Sequence, residues 1–295
     1  MDAQAEKPPF AWQPLTPGGI AAFARATWGR LFFVQFVVAV LVAGIVLWFV
    51  QTRWFSIIGT AIKALPAQSE IRAGKLQWFG DSPQSLAENN FLALCVDLKH
   101  EGTARSPAHV QVEFGQSDFR VLSLFGCRPG RYPRGWILAF NRSELEPWWG
   151  AWSPTLLAIT GAGVIAGLMG VWAALALLYA PIAWLLGFLN DRLLSLSGSW
   201  RLAGAALMPG ALFMSVGLCL YGFGVLDLIQ LIAVTVVHIV LGWVYVVYGS
   251  LSTPVHPSVM ALKNNPFLDS GISAPKSEAC RNDPGSQPDP KAFKS

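Results

Sequence analysis

Charge is what this sequence has least of. Only 13% of its 295 residues are Asp, Glu, Lys or Arg, against about 25% in soluble domains. Hydrophobic residues make up 53%, a balance that excludes an ordinary soluble domain. The net charge of +4 is spread over single basic residues with acidic neighbours, so there is no basic stripe and no nucleic-acid partner is expected. Cysteine is scarce: Cys95, Cys127, Cys219 and Cys280 form no CxxC pair and no zinc-type spacing. An intramembrane aspartyl protease needs two embedded carboxylates sharing a proton. The apolar runs offer only Asp227, in GFGVLD, which lacks the glycine–aspartate motif of those enzymes. The runs also lack a Ser–His pair of the rhomboid kind. Asp97, His100, His109 and Glu113 come nearest to a metal-ligand set, yet four residues of strand set His109 and Glu113 about 13 Å apart. DLKHEG reads as a strand end entering a solvated turn, so neither metal nor any other cofactor is expected.

Apolar length is abundant. Leu31–Val50 is long enough as a helix to cross a hydrocarbon core of about 30 Å. It is followed by QTRWFS rather than a small-residue cleavage site, so it reads as a retained anchor. Thr155–Leu189 would be about 53 Å long as a straight helix, more than one upright span needs, and Pro181 is the expected break. Leu202–Leu226 and Leu228–Val255 are parted by Asp227 alone, with Gly222 and Gly224 loosening the chain for a hairpin. The fold class expected is an α-helical membrane bundle of four transmembrane helices. A small, mostly β extracytoplasmic domain is inserted between helices 1 and 2.

The segments follow from these runs. Residues 1–30 form a cytoplasmic N-terminal segment, 31–50 the first span, 51–153 the extracytoplasmic domain, and 154–190 a second span kinked near Pro181. A cytoplasmic loop covers 191–201, spans three and four cover 202–226 and 228–251, and 252–295 is a disordered tail rich in Pro, Ser and Asn. Arg25, Arg30, Arg192, Arg201 and Lys263 then fall on one side. The positive-inside rule puts both termini in the cytoplasm of a cell whose inner membrane holds the chain.

Within the inserted domain, residues 51–65 carry Trp54, Ile57, Ile58, Ala61, Ile62 and Leu65 at helical spacing. Short strand-like runs follow: EIRAGKLQWF, FLALCVDL, HVQVEFG, DFRVLSLFG and GWILAFN. Such a small core is marginal alone, and Cys95 and Cys127 are a candidate disulfide on the oxidising side. Cys219 and Cys280 should be free.

Four groups of residues stand out as candidate sites. His238, Gln35 and Gln230 are polar intramembrane candidates, because buried polar groups in a span mark ligand or proton sites by default. The competing reading is a structural histidine bonded to another helix, for instance at Gln35. Gly163 and Gly167, with Ala166 and Gly170, make a small-residue face for helix packing, inside the chain or across a homodimer. Trp148, Trp149 and Trp152 lie just before an apolar run, at the depth where indoles anchor a chain to the lipid bilayer. Ser153-Pro154 would start the second span as N-cap and first helical residue. Glu144 and Glu146 form the nearest thing to an acid/base pair, but both read as solvated.

WGRLFF leads into the first span, ALP ends the juxtamembrane helix, and IRAGKLQW and FLALCVDL follow before a cluster of spans. In these features the chain resembles the bacterial integral membrane proteins labelled maltodextrin-utilisation-associated, distantly grouped with the Yip-like membrane proteins. The resemblance implies a bacterial inner-membrane protein and carries no catalytic residues with it. The expected function is binding, sensing or scaffolding through the extracytoplasmic domain, with a membrane-protein partner or a second copy. The alternative is a small transporter or transporter subunit using the polar groups in the spans.

Overall fold

The computed structural model describes residues 11–257. The expected disorder of the tail beyond residue 257 and the expected free thiol of Cys280 lie outside the described residues, as does the start of the N-terminal segment. Helix α1 (Pro17–Phe23) is capped by Thr16, whose Oγ1 accepts from Gly19 N at 3.1 Å. Helix α2 (Trp28–Phe49) continues without a break through a π-helical segment (Val50–Phe55) into α3 (Ser56–Lys63). Where the helix changes pitch, the hydroxyls of Thr52 and Ser56 donate to the carbonyls of Trp48 and Thr52, each at 2.7 Å. The run Trp28–Lys63 has 36 residues, about 54 Å, longer than one upright span needs.

Helix α4 (Arg142–Leu189) has 48 residues, about 72 Å. It corrects two expectations. The helix does not start at Ser153-Pro154: Asn141 is the N-cap, its Oδ1 accepting from Glu144 N at 3.0 Å and from Ser143 Oγ at 2.8 Å. Nor does it break at Pro181. A proline deletes one N–H donor, whereas ending a helix within an apolar run strands several backbone groups where no water can satisfy them. Helix α5 (Leu196–Gly222) and α6 (Leu228–Leu251) complete the bundle. Four helical runs, Trp28–Lys63, α4, α5 and α6, are long and apolar enough to cross a membrane.

Helix α5 is the central post of the bundle, with α2, α4 and α6 against it. Small buried residues (Ala203, Gly204, Ala205, Ala206, Gly210, Ala211) let the neighbours approach closely. A Cβ on Gly204 would stand 3.2 Å from Leu31, and one on Gly217 would collide with Val234. Within the chain, the packing role expected of Gly163 and Gly167 is filled instead by these residues. No atom comes within 4 Å of where a Cβ on Gly163 or Gly167 would sit, because α4 turns that face away from the bundle.

At one end of the bundle α1 packs on α5 and α6, with Arg201 Nη2 donating to Ala24 O at 2.7 Å and Trp28 against Trp200 at 4.8 Å. The other end carries the β module. Strands β1 (Glu70–Arg72), β2 (Lys75–Gln77) and β8 (Ile137–Ala139) form an antiparallel sheet in the order β2-β1-β8. Strands β3 (Gln84–Glu88), β4 (Leu92–Val96), β5 (Val110–Phe114), β6 (Asp118–Ser123) and β7 (Gly126–Arg131) form a second sheet in that order. All its pairs are antiparallel except β4–β5, which is parallel with Leu92 opposite Val110 and Val96 opposite Phe114. A parallel pair needs a long crossover, and residues 97–109 supply it. Helix α3 lays Ala61, and the turn after it Leu65, over Leu86, Leu92, Leu94 and Val96, while the crossover shields polar side chains of β5.

The topology also corrects the candidate disulfide. Cys95 lies on β4 and Cys127 on β7, and both are free. Two strands stand between them, about 14 Å at ~4.8 Å per strand, far beyond the reach of a disulfide. The module is held by α3 and the crossover instead.

Candidate functional site

Two polar clusters stand out in the module. The first is built by the crossover. His100, in the left-handed region at φ 56°, folds its ring back over β5. Its Nδ1 meets Glu113 Oε1, and its Nε2 lies 3.2 Å from Asp118 Oδ1. Asp118 Oδ2 is in turn 3.7 Å from Arg120 Nε. Each ring nitrogen thus faces one carboxylate oxygen. The side chains of His100 and Glu113 are 9% and 5% exposed. A Cβ on Gly115 would run into His100 Nε2, so only glycine there leaves room for the ring. His100, expected in solvent, is thus largely covered, and Asp97, expected there too, is buried. Asp97 is 2% exposed. Its burial opposes ionisation, but backbone N–H groups of Gly102 (3.0 Å), Glu101 and Lys99 donate to it and hold it below the ordinary carboxylate range. Next to it on β4, burial pushes the Cys95 thiol up to about 11, despite the 3.1 Å hydrogen bond from Gln111 Nε2. Burial likewise raises the Tyr132 phenol, whose hydroxyl donates to Gly115 O at 3.0 Å.

This first cluster is a clamp whose polar groups face one another. Among the described residues, no group of three or more His, Cys, Asp and Glu is arranged to hold a metal ion.

The second cluster joins module to bundle. Arg53, in the π-helical segment, donates from Nε to Gly222 O at 2.9 Å and lies over the Phe91 ring at 5.7 Å. Asn89 Nδ2 donates to Arg53 O at 2.7 Å. His109 Nδ1 is 2.6 Å from the Tyr221 hydroxyl, and the two rings stack at 5.5 Å. Phe91 meets Tyr221 edge-on at 5.0 Å and Phe49 at 5.2 Å. Beside this knot lies a cleft of about 420 Å³, with Asn90, Phe91, Pro107 and His109 on the module side. The turn between α5 and α6 forms its other wall through Gly224, Val225, Leu226, Asp227 and Gln230. Gly224 at φ +75° ends α5 in the left-handed conformation that favours glycine. Any molecule in this cleft touches both parts of the protein at once.

The intramembrane candidates part ways here. Gln230 belongs to a capping box: its Oε1 accepts from Asp227 N at 2.9 Å and its own N–H donates to Asp227 Oδ1 at 2.7 Å. It is an end-of-helix residue, not a mid-span one. Gln35 is 1% exposed and donates to Gly204 O at 3.3 Å, leaving its Oε1 without a partner. His238 Nδ1 is buried against Gly210, also without a partner. Gln35 and His238 do not bond each other. Their contact points on α5 are six residues apart, about 9 Å of rise and ~120° of turn.

The three tryptophans also divide. Trp148 and Trp152 are half-exposed and stack at 6.4 Å, whereas Trp149 packs edge-on against Phe55 at 4.8 Å. Arg53 and Tyr221, which tie the junction together, escaped the sequence reading. The available signal was an arginine directly after an apolar run and a tyrosine closing another. No protein-family model, curated protein or solved structure matches this chain.

Proposed function

We propose that this chain is a non-enzymatic multi-pass membrane protein whose β module binds a solute or partner and conveys its occupancy to the helix bundle. The observation that carries the reading is the junction cleft, whose walls come half from the module and half from the α5–α6 turn. A ligand that fits it only in one arrangement of the two parts would bias that arrangement. Arg25, Arg30, Arg192 and Arg201 cluster toward the end of the bundle away from the module, which supports cytoplasmic termini and an extracytoplasmic module in a bacterial inner membrane. The resemblance to the maltodextrin-utilisation-associated proteins points the same way.

Affinity purification in mild detergent tests this reading by comparing the native chain with His109→Ala/Asn90→Ala. A specific ligand or partner should be recovered with the first and lost with the second. Repeated isolation of the native protein alone, with an unchanged hydrogen-exchange pattern at the α5–α6 turn in the variant, would sink it.

A second reading, a transporter subunit, is favoured by the unpartnered buried atoms of Gln35 and His238, since polar groups at mid-depth mark substrate paths. Unchanged flux in vesicles carrying His238→Ala would remove that histidine from any such role.

A further inference from the structure

Helix α3 presents Ile58, Ala61 and Ile62 on one helical face, with Leu65 just past its end, and the first turns of α4 run beside it. The two helices do not close completely over the sheet. Between them lies a cavity of about 220 Å³, lined without a polar atom, with Ile58 and Ile62 above, Leu94 and Phe114 below, and Trp148 at the side. Dry apolar cavities of about 150 Å³ already accept a guest the size of benzene, so this one has room for more than a ring. At Leu65 it adjoins a second groove carrying Lys63, Arg142 and Glu146. Arg142 Nε engages Glu146 Oε2 at 2.9 Å, so the groove holds two cations and one carboxylate, a net positive charge at the mouth of an apolar hole. The α4 residues involved precede the apolar run that starts at Thr155.

An apolar slot next to a cationic rim is complementary to one class of ligand. We propose that this site binds a single-chain amphiphile with an anionic head, its chain between α3 and the sheet and its head at Lys63 and Arg142. The inference goes beyond the junction cleft and does not depend on it. Burial of the chain provides the affinity, in proportion to the apolar area removed from water. The charges set which heads are accepted. A fatty acid and a lysophospholipid share this chemistry.

Native mass spectrometry of the full-length protein, released from micelles after incubation with palmitate, lysophosphatidylglycerol or hexadecanol, tests the proposal. One anionic amphiphile should be retained per chain, with hexadecanol held about tenfold more weakly for want of the charge. Preference for lysophosphatidylglycerol assigns a phosphate head, and preference for palmitate a free fatty acid. Ala61→Phe fills the slot and should abolish retention of both. Lys63→Gln, at an exposed position, should weaken both about tenfold while leaving hexadecanol unchanged. The proposal is overturned if no anionic amphiphile is retained, if hexadecanol binds as well as palmitate, or if Ala61→Phe retains either ligand undiminished. Loss of hexadecanol in step with palmitate in Lys63→Gln would overturn it too. The junction cleft is untouched by these variants, so failure here leaves the sensing reading standing.

Discussion

Replacing His100 with alanine should unfasten the β module. Glu113 has a side chain only 5% exposed, and its Oε1 faces the His100 ring. Without the ring the carboxylate is left buried and unpaired, a defect that costs about 3–5 kcal/mol when one partner of a buried pair is removed. Asp118 suffers less, being 25% exposed and still within 3.7 Å of Arg120. The loss falls on β5, so hydrogen exchange of residues 110–114 in the detergent-solubilised protein is the direct readout. At about 1.4 kcal/mol per factor of ten, exchange should accelerate by roughly a hundred- to several-thousandfold at those amides. The α5 amides, on a separate core, should stay close to their native rates. His100→Leu/Glu113→Leu removes both halves of the pair and should be milder than Glu113's partner loss alone, because paired apolar replacements are often neutral. The reasoning is refuted if His100→Ala changes β5 exchange by less than about tenfold, or if the double replacement equals the sum of the single ones.

Three further outcomes are expected. At neutral pH a membrane-impermeant maleimide should label Cys127 readily and Cys95 only after denaturation, in a Cys219→Ser/Cys280→Ser background, because Cys95 is buried and its thiol is pushed up to about 11. Failure to label either without a reductant would revive the disulfide. Asp97 is held below the ordinary carboxylate range in the folded state, so its contribution is complete above the unfolded value of about 3.9 and fades as pH falls through the lower folded value. Asp97→Asn should therefore destabilise the module at pH 7 and flatten the stability loss below about pH 4, followed by circular dichroism in acid titration. Gly204→Leu should cost about 1–3 kcal/mol by overpacking against Leu31 and Gln35, read as a lower melting temperature in detergent. Gly167→Leu, with open space around its Cβ position, should leave melting unchanged in the monomer.

The one-dimensional pattern is informative wherever the environment acts on one residue at a time. Exclusion of charge from Leu31–Val50, Thr155–Leu189 and the two later runs reflects the price of a polar group in hydrocarbon, paid position by position, and so it is visible without knowing any neighbour. The same holds for the strand-like alternation in HVQVEFG and for the helical spacing of Ile58, Ala61, Ile62 and Leu65. Helix limits were less legible. Asn141 competes with Ser153 for the cap, and only the bond from Glu144 N shows which residue starts α4.

What tertiary structure decided is everything that depends on two distant segments meeting. His100 reaches Glu113 because β4 and β5 run parallel and the crossover between them is thrown over the sheet. An antiparallel hairpin would have left His100 in water. Cys95 and Cys127 look like neighbours in a list of strands, but strand order sets them three places apart. Small residues are equally conspicuous along α4, yet Gly161 is packed upon while Gly163 and Gly167 are not, since which face meets a neighbour is set by the bundle and not by the helix's own composition. The junction of His109 with Tyr221 spans 112 positions of sequence. Local patterns carry the cost of burying each residue; they do not carry the identity of its partner.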